Sequence, residues 1–254
     1  MGELHIGSCG QGPDLVLLHG WGMHGGIWQN IAQNLAQDFR IHVVDLPGYG
    51  ESAPAKPYTL DEITERIAQE LPDGAAVCGW SLGGQVAMKL ALEHAGQVSA
   101  LILVASTPKF VVGDNWHHGI DPKILMEFSE NLERDYEGTL KRFLSLQARS
   151  GDDARQVMTT LRSQLFARGR PVSEVLQGGL HMLLNVDLRR DISLIEQRTL
   201  LIHGSHDTLV PPSAAEWLSI EMPHATLHMV SGSAHAPFLS HQNEFIEVTK
   251  KFLT

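Results

Sequence analysis

A serine with glycine two residues away on either side stands at Gly79-Trp80-Ser81-Leu82-Gly83, a G-x-S-x-G pattern. That spacing suits a strand turning sharply into a helix, where bulk two positions from the serine has no room. The turn lifts the hydroxyl to the strand's carboxyl end, beside the positive end of the following helix. Serine is a weak nucleophile at neutral pH and needs a base, itself oriented by an acid. The chemistry on offer is acyl transfer through an activated Ser81.

When a nucleophile occupies such a turn, the acid and then the histidine follow it along the chain. Of the 14 histidines, His235 has the best setting. It lies in Gly232-Ser233-Ala234-His235-Ala236-Pro237-Phe238, where small neighbours let its ring reach across a sheet edge. Asp207, in His203-Gly204-Ser205-His206-Asp207-Thr208-Leu209-Val210-Pro211, is the acid that would hold the imidazole tautomer. Asp45 also follows a strand but precedes the serine, and loop structure is the role expected of it. The oxyanion donors should be the backbone N–H groups of Leu82, after the nucleophile, and Trp21, after His19-Gly20. His19 reads as a loop brace. No metal or cofactor is expected: His203 and His206 belong to the acid loop, and His117-His118 has no evident partner ligands.

The elements that must position these groups alternate. Short apolar runs at 15–18, 41–44, 75–78, 100–105, 199–203 and 226–230 read as strands. Helical patterns fall at 27–39, 59–71, 82–94, 212–218 and 243–252. Thr59, with Glu62 three residues on, reads as a capping box. From 106 to 186 no convincing strand occurs and at least three helical patterns do. Pro122 suits the first turn of one; Leu140, Phe143, Leu144 and Gln147 mark a second, and Val157, Leu161 and Leu165 a third. The expected fold class is α/β: a mostly parallel central sheet flanked by helices, formed by residues 1–105 and 187–254, with a helical cap inserted at 106–186.

Composition narrows the class. With 254 residues, 43% hydrophobic and 19% charged, the chain can bury one large core. A net charge of -10 argues against nucleic-acid binding, which needs a basic surface. No apolar stretch approaches the roughly 20 residues that span a bilayer, and no basic start precedes an apolar run, so a cytoplasmic monomer without membrane contact is expected. Two cysteines, Cys9 and Cys78, are too few for a disulfide framework.

His19-Gly20-Trp21-Gly22, residues 45–50, residues 79–83, Asp207 and His235 resemble the α/β-hydrolase superfamily over essentially the whole chain. Leu17 to Gly22, Gly79 to Gly84, Arg142-Phe143-Leu144-Ser145-Leu146-Gln147, Gly178-Gly179-Leu180 and Ala234 to Phe238 are similar to the biotin-pathway esterases that demethylate pimeloyl-acyl-carrier-protein methyl ester. The resemblance implies that Ser81 attacks the methyl ester carbonyl. It also implies an acyl channel lined by Trp21, Leu82, Phe143, Leu144, Ser145, Leu146 and Gln147, with Ser81 and His235 at its end and Trp80 as a further candidate. Acyl-carrier protein and small-molecule esters are the partners it implies.

Charge distribution bears on the same point. Residues 138–171 hold seven basic against two acidic residues, a balance of +5 that leaves -15 on the remainder. Arg142 and Arg149 are seven apart, as are Arg155 and Arg162, so each pair shares a helix face. A basic cap on an acidic body is what docking an acidic carrier requires. The principal rival is a short-chain carboxylesterase of broad specificity. Lactones, thioesters and carbon–carbon bonds also yield to this triad. Dehalogenase and epoxide hydrolase chemistry is disfavoured, because those members carry aspartate where Ser81 stands. A member of the fold that binds ligand without turnover is the reading from a different class; an intact triad opposes it.

Overall fold

Seven strands form one sheet in the order β1-β3-β2-β4-β5-β6-β7, and every neighbouring pair is parallel except β1 with β3. The computed structural model describes residues 3–148 and 151–254. The strands are β1 Ile6–Cys9, β2 Asp14–Leu18, β3 Arg40–Val44, β4 Ala75–Trp80, β5 Val98–Val104, β6 Arg198–Gly204 and β7 Ala225–Val230. β4 is buried along its whole length, and β2, β5 and β6 nearly so. Their near-continuous apolar runs are those of parallel strands covered on both faces. β1 is the strand sequence reading missed. It is an exposed edge, buried at no position, so it carries no apolar run to betray it.

Helices α1 Gln29–Leu35, α2 Leu60–Ala68, α3 Leu82–Glu93, α8 Pro212–Glu221, α9 Pro237–Ser240 and α10 Gln242–Leu253 connect or follow the strands. The helix expected over 27–39 is split, with a 3-10 turn at Gly25–Trp28 and α1 ending at Leu35. Past Leu35 the chain turns, Asp38 and Phe39 N–H both donating to Leu35 O, and it passes so close to Gly10 that a Cβ there would meet the Ala36 carbonyl oxygen at 2.6 Å. At α2 the Thr59 hydroxyl accepts the Glu62 N–H, one half of the capping box. The Glu62 carboxylate instead takes the Arg66 guanidinium at 2.9 Å.

Between β5 and β6 the chain adds four helices, α4 Pro122–Leu132, α5 Tyr136–Ala148, α6 Ala154–Gln164 and α7 Ser173–Asn185. None of the described residues there joins the sheet. Register explains how the sheet serves the site. Leu18 pairs with Gly79, Trp80 with Val104, Val104 with Ile202, and Gly204 with Val230. The carboxyl ends of β2, β4, β5, β6 and β7 are therefore level, and Trp21, Ser81, Asp207 and His235 all leave from that one edge.

Candidate active site

One residue, Ser81, separates the end of β4 from the start of α3. Its φ of 57° and ψ of -117° lie where a side chain costs about 1–3 kcal/mol. The flanking glycines make the turn possible. A Cβ on Gly83 would come within 2.6 Å of the Leu18 and His19 carbonyl oxygens, and one on Gly79 would strike the Gly83 backbone. Ser81 N–H donates to the Val104 carbonyl at 3.0 Å. The buried Ser106 hydroxyl lies 2.9 Å from Val104 O and 3.3 Å from both Gly79 O and Ser81 O, stitching the turn to the end of β5.

His235 Nε2 lies 2.9 Å from Ser81 Oγ, and its Nδ1 lies 2.7 Å from Asp207 Oδ2. Asp207 Oδ1 accepts the Leu209 and Val210 N–H groups at 2.9 Å each, so the carboxylate is aimed before His235 meets it. With a carboxylate at Nδ1, the proton of the neutral ring sits there, and Nε2 turns a lone pair to the serine hydroxyl. His235 itself is held by its backbone: its N–H donates to Gln147 O at 3.1 Å, and its carbonyl accepts Trp80 Nε1–H at 2.8 Å. The site is closed, with Ser81 and Asp207 each 3% exposed and His235 not at all.

The loop after β2 abuts the nucleophile: a Cβ on Gly20 would lie 3.3 Å from Ser81 Cβ. Among the described residues, no hydrogen-bond acceptor faces the N–H of Trp21 or of Leu82, which suits donors reserved for a developing oxyanion. His19 ties this loop to the one after β3. Its Nε2 accepts Leu46 N–H at 2.9 Å, leaving Nδ1–H to donate to Gly20 O at 2.8 Å. Burial drives its pKa down to about 4, so the ring is a neutral brace.

Asp45 is fully buried and is used structurally. It accepts Gly25 N–H at 2.6 Å, Glu51 N–H at 3.0 Å and the Arg168 guanidinium at 3.2 Å. Burial opposes its ionisation. The His19 ring, those two N–H groups and Arg168 outweigh burial and hold the carboxyl below its ordinary range. Because His19 is neutral at pH 7, the cation facing Asp45 there is Arg168.

Phe143 packs edge-on against Trp21, ring centroids 4.6 Å apart, and Trp21 Nε1–H donates to Leu176 O at 2.9 Å. Phe143, Leu144 and Gln147 are buried together with Leu82. Ser145 and Leu146 point elsewhere: Ser145 is exposed with its hydroxyl on Lys141 O, and half-buried Leu146 lines an outer cavity with Ile124, Phe128 and Arg142. Trp80 packs between His235, whose ring is tilted to it, and Phe238, which meets it edge-on. Gln147 is fully buried, and neither its amide oxygen nor its nitrogen has a described partner. Helical spacing marks Gln147 as a buried position and the family resemblance assigns it to the acyl channel, but neither shows that its amide is unpartnered.

The basic balance of residues 138–171 looks different in three dimensions. Arg168 turns inward to Asp45. Arg142 pairs with Asp135 at 3.0 Å, while Lys141 and Arg170 both pair with Glu137. Asp135 and Glu137 lie just before residue 138, and a net charge does not show which groups pair. Arg155 and Arg162 are exposed and make no ion pair with a described residue. Arg149 lies outside the described residues. Among those described, no cluster of three His, Cys, Asp or Glu side chains is placed to hold a metal ion, and no helix is long and apolar enough to cross a membrane.

A strained serine turn and a hydrogen-bonded Ser-His-Asp chain on a parallel sheet's carboxyl edge define a serine hydrolase. The chain belongs to the α/β-hydrolase fold family, whose pattern matches residues 13–242. Along nearly its whole length it is similar to proteins named pimeloyl-[acyl-carrier protein] methyl ester esterase. The relative from Nitrosomonas europaea is 46% identical, over 97% of this chain and 98% of its own. That from Vibrio cholerae is 42% identical, over 96% of each. Solved structures share the fold. An esterase from Exiguobacterium antarcticum has a TM-score of 0.88 at 24% identity, covering 100% of this chain and 96% of that one. A bromoperoxidase from Bacillus anthracis has 0.90 at 21%, covering 99% and 95%.

Proposed function

We propose that this chain is a serine carboxylesterase that hydrolyses the methyl ester of pimeloyl-[acyl-carrier protein], releasing the free acid and methanol in biotin biosynthesis. The observation that carries the reading is the hydrogen-bonded chain Ser81–His235–Asp207 in a protein 42–46% identical, end to end, to relatives named for that reaction. In this reading His235 Nε2 takes the hydroxyl proton as Ser81 Oγ adds to the ester carbonyl carbon. The N–H groups of Trp21 and Leu82 receive the oxyanion; one such donor is worth about 10²–10³ in rate. Collapse breaks the bond to the methoxy oxygen, which takes the proton from His235 and leaves as methanol. Water, deprotonated by His235, then adds to the acyl carbon; collapse breaks the bond to Ser81 Oγ, which takes the proton back from His235 as the carboxylate leaves. Nucleophile, base and orienting acid are all side chains, so the steps call for no cofactor.

Residues 106–186 serve as the cap in this proposal. Trp21, Leu82, Phe143, Leu144 and Gln147 form the acyl pocket, and Ser145 and Leu146 contribute only if the cap shifts. Since Ser81 is 3% exposed, the covering helices move aside to admit an ester. The acidic carrier docks on exposed Arg155 and Arg162, with Arg142 and Arg149 as the further cap arginines of this reading, and the enzyme works as a cytoplasmic monomer. The test is kcat/KM on pimeloyl-[acyl-carrier protein] methyl ester beside p-nitrophenyl butyrate, with Ser81→Ala as blank. A preference for the carrier ester supports the reading. Cleavage of the small ester alone would leave a general carboxylesterase.

A further inference from the structure

His203, near the carboxyl end of β6, is buried at 1% exposure, four residues before Asp207. Its Nε2 lies 2.8 Å from the Val210 carbonyl oxygen and 3.5 Å from Asp207 Oδ2. Both neighbours are acceptors, so Nε2 must carry the proton and donate it, chiefly to Val210. Val210 is thereby used twice. Its carbonyl accepts from His203, while its N–H donates to Asp207 Oδ1 at 2.9 Å. A continuous path runs from the His203 ring through the Val210 peptide units to the carboxylate that orients His235.

We infer that His203 is a positioning residue for the hydrolytic reaction, clamping the 207–210 turn so that Asp207 Oδ2 stays on His235 Nδ1. The inference rests on the triad reading above. A buried imidazole suits the task because it offers one rigid N–H donor without adding charge. Burial lowers its pKa, and the groups that face it are Asp207, His235 and, from α8, Glu216. Without the ring, the Val210 carbonyl, on a residue 1% exposed, loses its partner and the turn is free to relax. Asp207 then holds the imidazolium less well, so the base becomes more acidic.

Three variants and Ser81→Ala, assayed with p-nitrophenyl butyrate, test this. His203→Leu removes the donor; His203→Asn offers an amide too short to reach Val210 O; His203→Gln offers one long enough. The expected result for Leu and Asn is kcat lowered about tenfold, as loss of one hydrogen bond supporting a charged site implies. KM should be unchanged, and the acid limb of kcat/KM should move to lower pH. His203→Gln should recover most of kcat and the original limb. A folded His203→Leu protein with wild-type kcat and pH profile would overturn the inference, as would a loss confined to KM or a Gln variant no better than Asn. If His203→Leu does not fold, the Gln and Asn pair decides alone. Turnover persisting in Ser81→Ala would instead refute the triad reading on which the inference stands.

Discussion

Arg168→Met removes the guanidinium from a carboxylate that no water reaches, and keeps most of the aliphatic stem. Arg168 Nη1 lies 3.2 Å from Asp45 Oδ2, with the Arg168 side chain 31% exposed and that of Asp45 fully buried. At that separation the gross attraction is about 5 kcal/mol with an effective dielectric constant near 20. Two things reduce the net. Nearly a third of the Arg168 side chain stays exposed, and Gly25 and Glu51 N–H groups still solvate Asp45 when Arg168 is gone. Removing one partner of a fully buried pair costs about 3–5 kcal/mol, so roughly 2 kcal/mol is expected here. Urea unfolding of wild type, Arg168→Met, Asp45→Asn and the double variant gives the coupling directly. A coupling below about 0.5 kcal/mol would refute the reasoning, as it would place the pair among ordinary surface bridges. Because Arg168 faces inward, Arg168→Met should also leave the ratio of carrier-ester to small-ester hydrolysis unchanged.

Ser81→Gly should abolish ester hydrolysis and raise stability by about 1 kcal/mol over Ser81→Ala, since glycine alone occupies φ of 57° without strain; equal unfolding midpoints would show the turn to be unstrained. The part of the stability that His19 supplies should decline as pH falls from about 6.5 and be fully lost below about 4. The unfolded chain protonates His19 first while the folded chain holds it neutral, a difference on the order of 3 kcal/mol. His19→Asn should flatten that slope in urea titrations, with a shallower remainder from His24 and His203, whose pKa values burial also lowers; an unchanged slope would assign the acid sensitivity to other groups. Reversing charge at Arg155 and Arg162 should cut kcat/KM for the carrier ester about tenfold or more at low salt, and that for p-nitrophenyl butyrate hardly at all. Equal losses on both substrates would remove the docking surface from α6.

Short spacings were enough to read the nucleophile. Gly79, Ser81 and Gly83 act within one turn, so their sequence separation is already their geometry. The alternation of apolar runs with helical patterns likewise announced the sheet, and chain order singled out Asp207 and His235 among many acids and histidines. Helix ends were legible where a local signal existed, as at Thr59 and Pro122. They were misjudged at 27–39, where the chain leaves α1 at Leu35 in a turn that no glycine or proline marks. β1 escaped because an exposed edge strand needs no apolar alternation.

Other features depend on which groups the fold turns toward one another, whether near or far along the chain. Arg168 reads as one more positive charge until the fold sets it against Asp45, 123 residues away. The +5 window reads as a basic face until Asp135 and Glu137 take up part of it. His203 has no motif of its own and acquires a task only when the Val210 carbonyl turns toward it. Gln147, already named for the acyl channel by resemblance, is seen only in the fold to be buried with an unpartnered amide while its carbonyl accepts the N–H of His235. Local sterics and periodicity act over a few residues and are written in the chain. Ion pairing, burial and the closing of the site depend on distances that exist only once the sheet has brought its loops to one edge.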